Sequence, residues 1–138
     1  MTPITGIAHI CLASTDLEAT ERFYCEGLGL RKAFEFLRGG ARVGYYLEAG
    51  NAQFIEVFVR EAVEPADRHP LMHICLRTDD LDALRERLAA HGIEVTAKKL
   101  GADQSWQAWT RDPDGVRIEF HQYTPESSQR TGRPCRLE

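Results

Sequence analysis

The chain has 138 residues, 43% of them hydrophobic and 28% charged, with a formal net charge of −4 at pH 7. That balance belongs to an ordinary globular protein and excludes both a disordered chain and a surface built to bind nucleic acid. No apolar run approaches the ~18 residues of a membrane-spanning helix, and the opening Met1-Thr2-Pro3-Ile4 lacks the basic and apolar segments of a secretory signal, so the expected compartment is the cytoplasm.

In chain order, residues 7–12 form a short apolar run rich in β formers and read as a buried strand. Thr15 and Glu18 have the spacing of a helix-capping box, and Leu17, Phe23 and Tyr24 are the inward positions of a helix that Gly27 and Gly29 end. Strands follow at 31–37, 42–48 and 52–59, punctuated by Gly39-Gly40 and Gly50-Asn51 as tight turns. Residues 61–70, acidic and holding two prolines, read as a linker. The same order then returns. A strand is expected at 71–76, then a cap from Asp79 and Asp82, then a helix with Leu81, Leu84 and Leu88 on one face and Gly92 as its stop. Strands at 93–99, 105–111 and 116–123 complete the second copy, with Asp112-Pro113-Asp114-Gly115 as a turn. Residues 124–138 form a polar tail without periodicity. The fold class is therefore α+β, two tandem βαβββ modules at 1–64 and 65–123 forming a curved mixed sheet within a single domain.

The repeat is visible in the letters. His9-Ile10-Cys11-Leu12 recurs as His73-Ile74-Cys75-Leu76, and Phe54-Ile55-Glu56-Val57 is answered by Arg117-Ile118-Glu119-Phe120. Each copy opens with a histidine and closes with a glutamate, both in apolar surroundings. A carboxylate buried alone costs several kcal/mol or takes up a proton, whereas a first-row divalent cation accepts imidazole nitrogen and carboxylate oxygen together. His9, Glu56, His73 and Glu119 are thus candidate metal ligands, with open positions left for water or substrate. A single such residue reads best as a satisfied core histidine or a solvent-facing glutamate; four at repeated positions favour a site. Alternation along the strands puts Glu56 on the face of Phe54 and Phe58, and Glu119 on the face of Arg117 and His121, with Ile118 and Phe120 turned into the helix-covered core.

Other candidates carry less. His121 reads as a fifth ligand, a substrate contact or a surface residue, while His69 and His91 read as solvated. Trp106, Trp109, Tyr45 and Phe58 either wall an apolar pocket or pack the core. Arg77 and Arg117 either receive an anionic substrate group or are surface charge. Cys11, Cys25, Cys75 and Cys135 read as free thiols; Cys11 and Cys75 share the face of the histidines and read either as small buried hydrophobes or as further metal ligands.

These motifs, over residues 4–123, resemble the vicinal oxygen chelate superfamily, which includes glyoxalase I, methylmalonyl-CoA epimerase, extradiol dioxygenases and the fosfomycin and bleomycin resistance proteins. The ligand order His9, Glu56, His73, Glu119 is similar to that of bacterial glyoxalase I-like members. Epimerases typically carry Gln at the position of Glu56, and dioxygenases and fosfomycin enzymes use two His and one Glu. The resemblance implies one divalent metal ion per site, nickel or zinc favoured over cobalt, manganese or iron, and a small-molecule substrate presenting two vicinal oxygens. It further implies a lyase or isomerase reaction through an enediolate, with Glu119, or else Glu56, as the base, and a homodimer. An epimerase of the methylmalonyl-CoA kind, another enzyme of the superfamily such as an iron-dependent ring-cleaving dioxygenase, and a small-molecule binding or resistance protein are the alternatives.

Overall fold

A computed structural model describes residues 3–137. The chain divides into two units, Met1–Val63 and Glu64–Glu138, each holding one copy of the repeat. In the first, β1 (His9–Ser14) leads into a helix α1 (Leu17–Glu21) that widens into a π turn over Arg22–Gly27, followed by β2 (Arg31–Arg38), β3 (Ala41–Glu48) and β4 (Phe54–Val59). In the second, β5 (Ile74–Arg77) precedes α2 (Leu81–Ala90), β6 (Lys99–Leu100), β7 (Trp106–Arg111), β8 (Arg117–Gln122) and a short α3 (Ser128–Thr131). The strand orders are β1-β4-β3-β2 and β5-β8-β7-β6, each a four-stranded mixed sheet. The first strand of each unit lies parallel to its last, β1 beside β4 and β5 beside β8. This is the α+β arrangement of tandem βαβββ modules that the sequence predicts, with the strand ladder divided into one sheet per module.

The cores follow the alternation. Leu12, Tyr24, Tyr45, Leu47, Ile55 and Val57 are buried in the first unit, and Ile74, Leu81, Leu88, Ala108, Ile118 and Phe120 in the second. In β4, Ile55 and Val57 thus face the core and Phe54, Glu56 and Phe58 the other side. Buried Ser14 is satisfied by the Thr20 hydroxyl at 2.7 Å, which ties the end of β1 to α1.

Several local expectations change. The helix caps are Asp16 and Asp80, one residue later than Thr15 and Asp79. Both are extended, so that their carboxylates, acceptors only, take the N–H groups of Glu18 and Ala19 in one case and Ala83 in the other. Of the predicted 93–99 strand only Lys99 is paired, with Leu100 beyond it, as the two-residue β6. The preceding segment is held to β7 partly by side chains, since the Thr96 hydroxyl accepts from Trp109 N–H and the Thr110 hydroxyl donates to the Glu94 carbonyl. The tail is tied down despite its polar composition. Buried Ser127 and Ser105 share a hydroxyl contact at 2.9 Å, and Gln129 Nε2 donates to Asp103 Oδ2 at 2.6 Å. Among the described residues no helix is long and apolar enough to cross a membrane.

Candidate metal centre

In the first unit His9 and Glu56 come together because β1 and β4 are neighbours. The register sets His9 opposite Phe54 and Cys11 opposite Glu56, so all four share one sheet face. His9 Nε2 lies 4.0 Å from Glu56 Oε1. Its other nitrogen, Nδ1, is 2.8 Å from the Tyr46 hydroxyl, and Tyr46 is the β3 partner of Glu56. With Nδ1–H donating to the Tyr46 oxygen, Nε2 keeps its lone pair directed at the glutamate, the tautomer and orientation a metal requires.

The second unit repeats the plan with more polar neighbours. His73 stands immediately before β5, its Nε2 3.2 Å from Glu119 Oε2. Glu119, 9% exposed, has Oε1 accepting a hydrogen bond from His121 Nε2 at 2.8 Å, and His121 Nδ1 lies 3.9 Å from Asp103 Oδ2. The Trp109 ring packs edge-on to the His73 ring with centroids 4.9 Å apart, and it sits across from Glu119 in the β7–β8 ladder. Arg117 lies over the Trp109 ring, its guanidinium carbon 4.8 Å from the ring centroid, and the guanidinium carbon of Arg77 lies 5.9 Å from the Tyr123 ring centroid. Both arginines thus lie within cation–π distance of an aromatic ring on the face that bears Glu119.

The donor chemistry fits a divalent cation. In each unit an imidazole nitrogen and a carboxylate oxygen lie within 3.2–4.0 Å, the separation of neighbouring ligands around one ion, and in the first unit a hydroxyl holds the outer imidazole nitrogen. Among the described residues, ligand atoms of Cys75, Glu119 and His121 also lie within 4.8 Å of one another. Cys75 and Cys11 face the glutamates and are exposed as residues, which corrects their reading as buried hydrophobes. Loss of solvent around the sulfur, followed by the Glu119 charge, pushes the Cys75 thiol up to about 12. Cys11 shifts the same way for the same causes, with Glu56 in the role of Glu119.

The supposed aromatic wall is split. Tyr45 is fully buried on the core side, its hydroxyl donating to the Leu17 carbonyl, and Trp106 pairs with Gln122 on the core-facing side of β7 while Trp109 faces Glu119. Phe58 does lie on the Glu56 face, joined by Phe54, Tyr46, Phe34 and Phe36. Tyr46 is the residue that sequence reasoning passed over, although its place two before Glu48 and in register with Glu56 follows once the β3–β4 turn is fixed. His69 and His91 are exposed, as expected.

Comparison with known proteins agrees with this architecture. The chain is 30% identical over 125 residues to a lactoylglutathione lyase of Haemophilus influenzae, spanning 83% of this chain and 90% of that protein. It is 26% identical over 128 residues to the uncharacterized protein YaeR of Escherichia coli, spanning 88% and 99% respectively. Among solved structures, TnmS3, an antibiotic binding protein from Streptomyces, superposes with a TM-score of 0.71 over 90% of this chain and 100% of that one; at 24% identity this likeness concerns the fold. A family model matches residues 6–120, and the chain accordingly belongs to the Glyoxalase/Bleomycin resistance protein/Dioxygenase superfamily.

Proposed function

We propose that the protein is a metal-dependent isomerase or lyase of the glyoxalase I kind, with His9, Glu56, His73 and Glu119 holding one divalent ion, nickel or zinc. The observation that carries this reading is the recurrence of one device: in both repeats a histidine Nε2 faces a glutamate oxygen, at 4.0 Å and 3.2 Å. The 30% identity to a lactoylglutathione lyase supports the same class of chemistry.

When bound, a divalent cation supplies a Lewis acid for two adjacent oxygens of a small substrate and raises the acidity of the neighbouring C–H. The chain's own residues do the rest. Glu119 is the base: its carboxylate takes the carbon-bound proton and returns it to the adjacent carbon, so no net proton is consumed. His121 orients that carboxylate through the 2.8 Å bond to Oε1, leaving Oε2 toward His73. Tyr46 and Trp109 fix the two imidazoles, and Arg117 and Arg77 receive any anionic group the substrate carries.

Metal content of protein purified without chelator tests the ligand set. The expectation is about one ion per chain, lost in each of His9→Ala, Glu56→Ala, His73→Ala and Glu119→Ala. A Glu119→Gln variant that still melts cooperatively should lose at least about 100-fold in turnover. Wild type that takes up no ion from nickel, zinc, cobalt, manganese or iron defeats the enzyme reading and favours a protein that sequesters its ligand.

A further inference from the structure

Five aromatic rings pave the sheet face that carries His9 and Glu56. Phe34, Tyr46 and Phe54 stack in a row across β2, β3 and β4, with centroids 4.7 and 5.0 Å apart and planes within 28° of parallel. Phe36 and Phe58 stack beside them at 4.7 Å, although β3 lies between their strands. Gly44 makes that second pair possible. It occupies the β3 position between them, and a Cβ there would stand 2.8 Å from the Phe58 ring and 2.3 Å from the Val57 carbonyl oxygen. Phe36 meets Phe34 edge-on at 5.3 Å, which closes the array, and Tyr46 links it to His9 by ring contact and hydrogen bond. Phe34 is 49% exposed, and Phe36, Tyr46, Phe54 and Phe58 are half-buried, so a ligand can reach this array.

Taking the His9–Glu56 pair as part of the metal centre proposed above, we propose that the substrate carries a planar aromatic group that lies on the Phe34, Phe36 and Phe58 rings while its vicinal oxygens reach that pair. Parallel rings about 4.7–5.0 Å apart form a pattern that another flat ring extends by offset stacking, with the contact specificity that an alkyl group lacks. Partly exposed aromatic rings beside an imidazole and a carboxylate are the composition of a small-molecule site rather than of a bare protein surface.

Mandelate and lactate test this, because both present a 2-hydroxycarboxylate and differ only in phenyl against methyl. Calorimetric titration of zinc-loaded protein is expected to give about tenfold tighter binding of mandelate. Phe34→Leu and Phe36→Leu should each bring that ratio toward one and leave lactate affinity unchanged. Equal affinities, a preference unaffected in both variants, or no mandelate binding to either metal-loaded or metal-free protein overturns the proposal. The metal-free titration separates it from the metal reading. Preference for mandelate without zinc keeps the aromatic surface and removes the metal's part, whereas zinc-dependent binding of both ligands with equal affinity keeps the metal and removes the aromatic surface.

Discussion

The Tyr46 hydroxyl lies 2.8 Å from His9 Nδ1, while Tyr46 is itself the cross-strand partner of Glu56. One side chain thus orients the imidazole and flanks the carboxylate of the same pair. Tyr46→Phe keeps the ring and its stacking but removes the acceptor. By the usual effect of losing such a partner, metal affinity should fall about 10- to 100-fold, read by competition with a chromogenic chelator, with the melting temperature of the metal-free protein little changed. Undiminished affinity would show that Tyr46 packs against His9 without orienting it.

Gly44 is a packing position. An added methyl meets the Val57 carbonyl oxygen at 2.3 Å, a backbone atom that cannot swing aside, as well as the Phe58 ring. Gly44→Ala should therefore destabilise the first unit by about 1–3 kcal/mol, the range for overpacking a filled site. Denaturant unfolding measures this, and a variant as stable as wild type would mean that β3 and β4 separate more easily than the ladder suggests.

The last residue of α1, Glu21, is fastened to the β2–β3 hairpin by charge. Lys32 Nζ lies 2.9 Å from Glu21 and 2.7 Å from Glu35, and Arg42 bonds both glutamates. Burial works against the charge of Glu21, but the hydrogen bonds from Lys32 and Arg42 outweigh it and hold the carboxyl below its ordinary 4.5. A carboxyl lowered on folding contributes stability above its unfolded pKa and loses it as pH falls through the folded one. Lys32 is raised above 10.5 by Glu35 and Glu21, so its contribution is present below that value and fades as pH rises through the folded one. Thermal melts of wild type should thus weaken at both extremes, and Glu21→Gln should flatten the acid limb below about pH 5. An acid limb unchanged in Glu21→Gln would assign it to other carboxylates.

Cys75 is exposed as a residue yet holds its proton up to about 12. Because the thiolate is the nucleophile, alkylation of Cys75 by iodoacetamide at pH 8 should be many times slower than that of a free thiol in the metal-free protein. Glu119→Gln removes the second cause of the shift and should speed the reaction. Peptide mass mapping over time reads both, and a rate matching that of a free thiol would place the sulfur in water.

Much of this arrangement is legible in the letters because a repeat doubles every signal. His9 and His73, and Glu56 and Glu119, stand out only as pairs, and period-2 alternation is enough to assign Ile55, Val57, Ile118 and Phe120 to the core. What escapes depends on contacts across strands. Tyr46, Phe34 and Phe36 join the site face through the β2–β3–β4 register, which includes two irregularities in β2 that alternation does not reveal. Trp106 and Trp109 part company because an odd spacing along a strand reverses the face, a rule that applies only once the strand is known to be straight there. The cap shift from Thr15 to Asp16 and from Asp79 to Asp80 is decided by which side chain reaches the free N–H groups, a matter of backbone angle rather than composition. The tail reads as featureless because its hold on the second unit, through Ser127 and Gln129, is made of polar contacts.

The parallel pairing of first strand with last gives each unit a late-closing topology. His9 meets Glu56, and His73 meets Glu119, only after nearly the whole of a module has been laid down between them, so the loop entropy is charged before these contacts return anything. The hairpins β2–β3–β4 and β7–β8 can zip locally, whereas β1 and β5 must insert from a distance. In refolding, the closure of β1 on β4 and of β5 on β8 is then the step expected to come last in each module.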